Sequence, residues 1–405
     1  MATHRDRPRT RALHGPRRRV GFPRILAAGL ALASLAPSAA ASTNPPTLRL
    51  LVGITSQASA RAGGGTLETV AIVRVTSDRV TLDRVLDASS LPPSTVAPTG
   101  LDPGYTRLFG HSLVAWPDLA MAPDGPTVGS SWVQAWRAAT GQRLDGAMEV
   151  EATALARMLT RFGLTLRTPR GEVLRTDSAL ARELTIGMRL RTPGTDASSA
   201  ATRTDELAPA LRALASHGAT GLLAALRPSI ADGRAWIYRT DATAQRALET
   251  AGLAGWIGSI PAREVRFRLN NLSGNRADAF LRATMRVRHP SPDASIVTVR
   301  LHLLPGLSRA TSPLVSARAD AQASSGPGEL VQTVYSVGLA VHTSTVLVNG
   351  HHIVTRSAWY DGHPTVVVPV DVVVGADVTM TYTMTGRADI SHALDGALPS
   401  PIAAR

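Results

Sequence analysis

From Leu48 the chain runs Leu-Arg-Leu-Leu-Val-Gly-Ile, and from Thr69 it runs Thr-Val-Ala-Ile-Val-Arg-Val. Apolar runs of this kind, rich in β-branched residues, read as strands covered on both faces. Between them stands Arg61-Ala62-Gly63-Gly64-Gly65. Three successive glycines predict a turn whose backbone takes conformations that only glycine adopts cheaply. Leu48–Val75 is therefore the predicted strand–turn–strand around which the rest is organised. A hairpin follows, with Val73–Val75 and Val80–Leu82 flanking Thr76-Ser77-Asp78-Arg79. Ala88–Tyr105, rich in Pro, Ser and Thr, predicts a long surface loop. Trp116-Pro117-Asp118 and Ala122-Pro123-Asp124-Gly125-Pro126 continue the irregular stretch.

Helical spacing appears next. Ser130 is placed to cap a helix that carries Trp132, Val133 and Trp136 on one face and closes at Gly141. Both tryptophans read as core. Asp145-Gly146 turns into a strand, Ala147–Glu151, and Leu155, Met158, Leu159 and Phe162 then mark an amphipathic helix that ends at Gly163. Thr192–Thr204 is polar and reads as a loop. Helical patterns return at Glu206–Ser216, Thr220–Arg227 and Ala242–Ala251, with a strand at Ala235–Tyr238. Alternating helix and strand predict an α/β region built on one mixed central sheet with flanking helices.

From Pro261 the period changes to two. Val265, Phe267 and Leu269 alternate with Arg266 and Arg268, and similar alternation runs through Leu281–Val287 and Val297–Leu303. Asn349-Gly350 and Asp361-Gly362 mark tight turns among Thr345–Val348, Ile353–Tyr360 and Thr365–Val374, and Val378–Thr385 adds a last strand. Seven or eight strands without an intervening helix predict an all-β sandwich. The expected organisation is residues 1–41 as signal peptide, 42–47 as linker, 48–258 as the α/β domain, 259–386 as the β-sandwich domain and 387–405 as a disordered tail.

The leader rests on order. Arg17, Arg18, Arg19 and Arg24 precede an apolar stretch, Ile25–Ala36, and then Ala39-Ala40-Ala41. The apolar stretch is about 12 residues, short of the roughly 20 that a helix needs to cross a bilayer. Cleavage and an extracytoplasmic location are therefore expected, with an N-terminal membrane anchor as the alternative. No other segment approaches membrane-spanning length, so no span is expected in the mature chain. The formal charge is +13, and residues 1–24 hold eight arginines and one aspartate, which leaves the remainder near +6. Aromatic residues make up 4% of the chain, and no dense basic run survives beyond the leader, so nucleic acid is not an expected partner. The absence of cysteine excludes thiol catalysis and thiolate metal sites. Every cation is an arginine, since the chain holds no lysine.

Candidate chemistry is sparse. His111 and Ser112 are adjacent without an elbow glycine pattern, and His351, His352 and His363 sit near hairpin turns, where neighbours on one strand face opposite ways. Neither set predicts a catalytic or zinc site. Asp118 and Asp124 are candidates for a shared divalent cation or an acid–base pair, or are proline-associated turn formers. Arg61 with the N–H groups of Gly64 and Gly65 is the candidate anion cradle. No catalytic set and no metal set is expected.

These motifs resemble those of the exported domain-of-unknown-function 4012 family. The likeness lies in the strand and Arg-Ala…Gly-Gly turn of Leu50–Val75 and the loop Trp116–Pro126. It continues in the strand Leu144-Asp145-Gly146-Ala147-Met148-Glu149-Val150, the segment Gln245–Gly255 and the pair Asn270-Asn271. More distantly the first domain resembles the LytR-CpsA-Psr ligases, which join glycopolymers to peptidoglycan and hold a polyprenyl pyrophosphate with arginines and aspartates. Here the turn aspartate of those ligases is replaced within Ala62–Gly65, and Leu86-Asp87-Ala88 stands where their Pro-Arg-Asp falls. The resemblance implies an envelope module that binds a cell-wall glycopolymer, a polyprenyl-linked lipid or a protein partner without turning it over and without a cofactor. Its alternative is a magnesium-dependent phosphotransferase that attaches polyprenyl-linked glycopolymer to the wall, using Arg61 and the aspartate loop.

Overall fold

The computed structural model describes residues 47–77, 79–93, 98–109, 115–187, 196–255, 264–304, 330–338 and 343–389. The leader, most of the linker, His111, Ser112, residues 192–195, the boundary at 258/259 and residues 390–405 lie outside them. Strand β1 (Leu48–Ser56) is the centre of a five-stranded mixed sheet. It pairs antiparallel with β2 (Thr66–Val75) and parallel with β4 (Gly146–Glu151). Beyond these, β3 (Val80–Asp87) pairs antiparallel with β2, and β7 (Ala235–Arg239) pairs antiparallel with β4. Two short strands, β5 (Leu166–Arg167) and β6 (Val173–Leu174), form a separate ribbon.

Both faces of the sheet are covered, which is why β1 and β2 read as continuous apolar runs. One face packs on α3 (Ala152–Arg161), α5 (Asp196–Ala215), α6 (Gly218–Ala231) and α7 (Ala242–Thr250) through Leu50, Val52, Ile54, Leu155, Leu214 and Leu226. The other packs on α1 (Pro103–Phe109) and α2 (Gly125–Thr140) through Leu51, Ile72, Tyr105, Val128, Trp132 and Trp136. Both tryptophans are fully buried, as predicted.

Three local expectations are corrected. Helix α2 begins at Gly125, not after Ser130, because Asp124 accepts the Thr127 N–H at 2.9 Å and Pro126 suits the first turn. Ser130 lies within the helix, and closure at Gly141 (φ 72°) is as predicted. Most of the predicted loop 192–204 is helix, since α5 starts at Asp196. Arg203 of this helix is buried against Asp87 at the end of β3, and Leu207, Ala210 and Leu214 pack in the core, so tertiary packing overrides the loop-like composition. Ala88–Tyr105 contains a 3₁₀ turn (Ala88–Ser90) and the start of α1, and Leu91 and Tyr105 are buried.

The C-terminal part holds two antiparallel sheets. One has the order β13-β12-β16-β10-β9, formed by β9 (Leu281–Ser291), β10 (Ala294–Leu303), β12 (Thr343–Val348), β13 (His351–His352) and β16 (Asp377–Thr385). The other has the order β14-β15-β11-β8, from β8 (Val265–Asn271), β11 (Leu330–Gly338), β14 (Arg356–Tyr360) and β15 (His363–Val372). Phe267, Val299, Val370 and Tyr382 meet in one core between them. Strand β11 was not predicted. Asn349-Gly350 (φ 50° and 83°) and Asp361-Gly362 (φ 47° and 76°) both turn with two positive φ values, the signature of type I′ hairpins. A chain of α4 (Asp177–Arg182) and a π turn (Glu183–Gly187) precedes the undescribed residues before α5.

The two regions share their cores. Ala58 and Ala60 of the glycine turn, with Ile186, pack into the core between the two antiparallel sheets. In return Ala358, Tyr360 and Val367 of β14 and β15 pack with Trp132 and Tyr105 against the mixed sheet. At the C-terminal end, Ala388 is buried and Asp389 bridges to Glu264, so the first residues past β16 are held against β8 and β10.

Candidate binding site

Strand β1 ends in Thr55 and Ser56, and the chain folds back through Gln57–Gly65 to β2. Gly64 and Gly65 take φ of 134° and 108°, values closed to other L residues. A Cβ on Gly64 would lie 1.6 Å from Glu149 Oε1. Residue 64 must therefore be glycine for β4 to lay a carboxyl against the turn.

Arg61 organises this turn. Its buried guanidinium donates from Nη1 to the carbonyls of Asn271 (2.7 Å) and Ala60 (3.0 Å) and from Nε to that of Pro117 (3.2 Å). From Nη2 it reaches Asp118 Oδ1 at 3.2 Å. Gly64 and Gly65 both donate their backbone N–H to the Arg61 carbonyl, at 3.0 and 3.1 Å. The predicted anion cradle is thus taken up within the protein: Arg61 pairs with Asp118, a residue expected instead to pair with Asp124, and the two glycines close the turn from within. The guanidinium faces protein oxygens, and it joins the turn, the Trp116–Asp118 loop and the end of β8.

Asp124 is engaged elsewhere. Besides capping α2, its Oδ2 accepts the hydroxyl of Tyr360 from β14, and that hydroxyl also reaches Thr127 Oγ1 at 2.9 Å. Burial pushes the Asp124 carboxyl up to about 6, against the pull of these hydrogen bonds. The same burial, with the neighbouring Asp124 charge, holds the Tyr360 phenol far above its ordinary value. Among the described residues no three His, Asp or Glu side chains converge as a metal site.

At this seam the pair Asn270-Asn271, named in the sequence only as a motif, makes specific contacts, and Asp278 and Glu149 were not singled out at all. Asn270 Oδ1 accepts the Ala62 N–H at 2.9 Å, and Asn271 donates its amide to Asp278 Oδ2 at 3.0 Å. Asp278 also accepts the Ala60 N–H at 2.6 Å, and burial pushes its carboxyl up to about 7. Glu149 is fully buried, pushed up to about 8 by desolvation, with Glu151 adding to the rise. The signal for Glu149 was available. In a strand covered on both faces, a carboxylate two residues from the buried Ala147 points inward.

Two openings border this framework. The first, about 140 Å³, lies between the sheet and helices α3, α5 and α6. Every residue lining it is Ala, Val, Ile, Leu or Met, among them Val73, Leu82, Met158, Leu214 and Leu223. The second, about 130 Å³, lies past the carboxyl ends of the parallel strands β1 and β4, bounded by Gly63, Gly125, Trp236, Gly255, Arg266 and Arg268. A further buried ion pair joins Arg203 of α5 to Asp87 at the end of β3, with Nε to Oδ2 at 2.7 Å.

Residues 47–184 match the family described as protein of unknown function (DUF4012). That segment runs from β1 through α4 and includes Arg61, Gly64, Gly65, Asp118, Asp124 and Glu149. Among curated proteins none matches the chain.

Proposed function

We propose that this chain, whose residues 47–184 carry the DUF4012 family match, is an exported cell-envelope module that binds the apolar chain of a lipid carrier without catalysing its transfer. The observation that carries the reading is the wholly apolar opening between the sheet and helices α3, α5 and α6. A concave, wholly apolar opening of this size favours apolar guests. Its partly exposed rim residues Val75, Val80, Leu82 and Leu222 offer a route for an isoprenoid or acyl chain. The two antiparallel sheets, read as a β-sandwich, brace the glycine turn from the opposite side. The order of basic, apolar and small residues at Arg17–Ala41 supports an extracytoplasmic location for the module.

The test is extraction and mass spectrometry of lipid from the purified mature chain, followed by titration with farnesol. Leu214→Trp, which fills the opening, is expected to abolish binding while circular dichroism stays unchanged. Undiminished farnesol binding by that variant would refute the reading. A second reading, a phosphotransferase of the LytR-CpsA-Psr type, draws on the buried Arg203–Asp87 pair at the position where those ligases carry Pro-Arg-Asp. It requires turnover of a polyprenyl-linked glycan that Asp87→Asn abolishes.

A further inference from the structure

The two antiparallel sheets end in edge strands, and these edges are not alike. Strand β14 runs against α1, so closely that a Cβ on Gly104 would fall 1.9 Å from the Trp359 carbonyl oxygen. Strand β8 is tied at both ends, Asn271 donating its N–H to the Ala60 carbonyl at 2.9 Å and Val265 to that of Asp389 at 3.0 Å. Strand β13 is only two residues long. Strand β9 has 11 residues, pairs with β10 on one side and meets no described strand on the other.

The two faces of β9 differ in character. Its core face carries Leu281, Ala283, Met285 and Val287, which pair with apolar residues of β10. Leu281 is buried, Ala283 and Met285 are half-buried and Val287 is 38% exposed, so the apolar row runs out of the core along the strand. The solvent face carries Arg282, Thr284, Arg286 and Arg288, all exposed. Among the described residues, the side chains of these three arginines make no hydrogen bond or ion pair. On the neighbouring strands the same face presents Thr298, Arg300 and His302 of β10 and Thr379 and Thr381 of β16, and the carboxylate there is Asp377. Asp377 is held by Arg300 and, at 3.0 Å, by His302 Nδ1, which leaves the β9 arginines uncompensated by β10 or β16. Asp293 lies in the turn beyond the last paired residues, Ala294 and Ser291.

An edge of this kind selects its partner. A second copy is repelled, because antiparallel pairing of two β9 strands would lay arginine beside arginine. Neutral edges are turned away as well, since their approach would strip water from the guanidinium groups and return no charge. A peptide with carboxylates at alternate positions meets the arginines on the solvent face, where charge-assisted hydrogen bonds form. Its intervening residues fall on the core face beside Met285 and Val287, and apolar side chains there continue the row that β9 leaves open. Backbone groups along the outer edge favour a polypeptide over an anionic polysaccharide or a lipid surface, neither of which offers an amide ladder. We propose that the outer edge of β9 is a docking strand for an extended acidic segment of another protein, one that alternates carboxylate and apolar residues and extends the five-stranded sheet.

Fluorescence anisotropy with residues 42–405 and a labelled nonapeptide that alternates Glu and Val tests it. Binding is expected, with hydrogen exchange slowed in Leu281–Ser291 and unchanged in Thr343–Val348. Arg286→Glu combined with Arg288→Glu is expected to weaken this peptide at least tenfold and to gain binding of the Lys–Val counterpart, an exchange that misfolding cannot produce. N-methylation of alternate peptide amides should abolish binding in one phase and spare it in the other, since only every second amide of an added strand faces β9. Failure of the Glu–Val peptide to bind, or an equal effect of the two methylation phases, overturns the proposal. Protection of Leu281–Ser291 by dextran sulfate or by phosphatidylglycerol vesicles, without binding of the peptide, identifies a polymer or a membrane as the occupant and overturns it too. None of these results bears on farnesol uptake by the apolar opening.

Discussion

A single side chain, Arg61, holds three segments that are far apart in sequence, and its loss is correspondingly local in cause and wide in effect. Arg61→Met keeps the aliphatic bulk but strips the carbonyls of Ala60, Pro117 and Asn271 of their donor. A cost of about 3 kcal/mol is expected, the figure for breaking one buried charged hydrogen-bonding centre, and chemical denaturation measures it. Glu149 makes a different prediction. Its folded value is raised to about 8 from about 4.5, so the native state binds a proton that the unfolded chain has released between those limits. Asp278 and Asp124, raised to about 7 and about 6, act in the same sense. Stability from these groups is fully present below about pH 4 and is lost as pH rises toward 8. Melting temperature should therefore fall from pH 5 to pH 8, and Glu149→Gln should flatten part of that slope.

Among the elements, α2 and β14 show how one cap ties two regions together. Tyr360 closes a hairpin in the C-terminal sheets, yet its hydroxyl is spent on the residue that caps α2. Tyr360→Phe removes one donor from a buried carboxylate and should cost about 1–3 kcal/mol in denaturant titrations, while pushing the Asp124 carboxyl still higher. The hairpin turns were legible from Asn349-Gly350 and Asp361-Gly362 because both turns demand positive φ at two successive positions. The start of α2 was not, since Asp124 and Ser130 are both acceptable caps locally. What selects Asp124 is Tyr360, 236 residues away in the chain.

At the scale of the whole molecule, the two predicted domains are interlocked. Ala58 and Ala60 complete one core, while Ala358, Tyr360 and Val367 complete the other. Domains that exchange core residues have lost the separable interface of independent units. Residues 47–258 expressed alone should therefore fail to give dispersed NMR spectra, and residues 42–405 should unfold in a single transition by calorimetry. Two separate transitions would show that the shared cores do not couple the regions. Among the described residues no helix is long and apolar enough to cross a membrane.

Periodicity and turn chemistry were enough to specify the mixed sheet, most helices and most of the antiparallel strands. Those features arise from the local rules of which face is apolar and which residues tolerate positive φ, and such rules can be read in a window of a few residues. The site was another matter. Arg61, Gly64 and Gly65 could be named from the chain, but the inward aim of the guanidinium depends on carbonyls from β8 and the Trp116–Asp118 loop. The raised titration of the Glu149 carboxyl depends on its burial against the glycine turn. The apolar opening depends on how helices α5 and α6 sit over β1 to β3. Desolvation and hydrogen-bond partnership are set by which distant groups are packed together, and no short stretch of sequence carries that information.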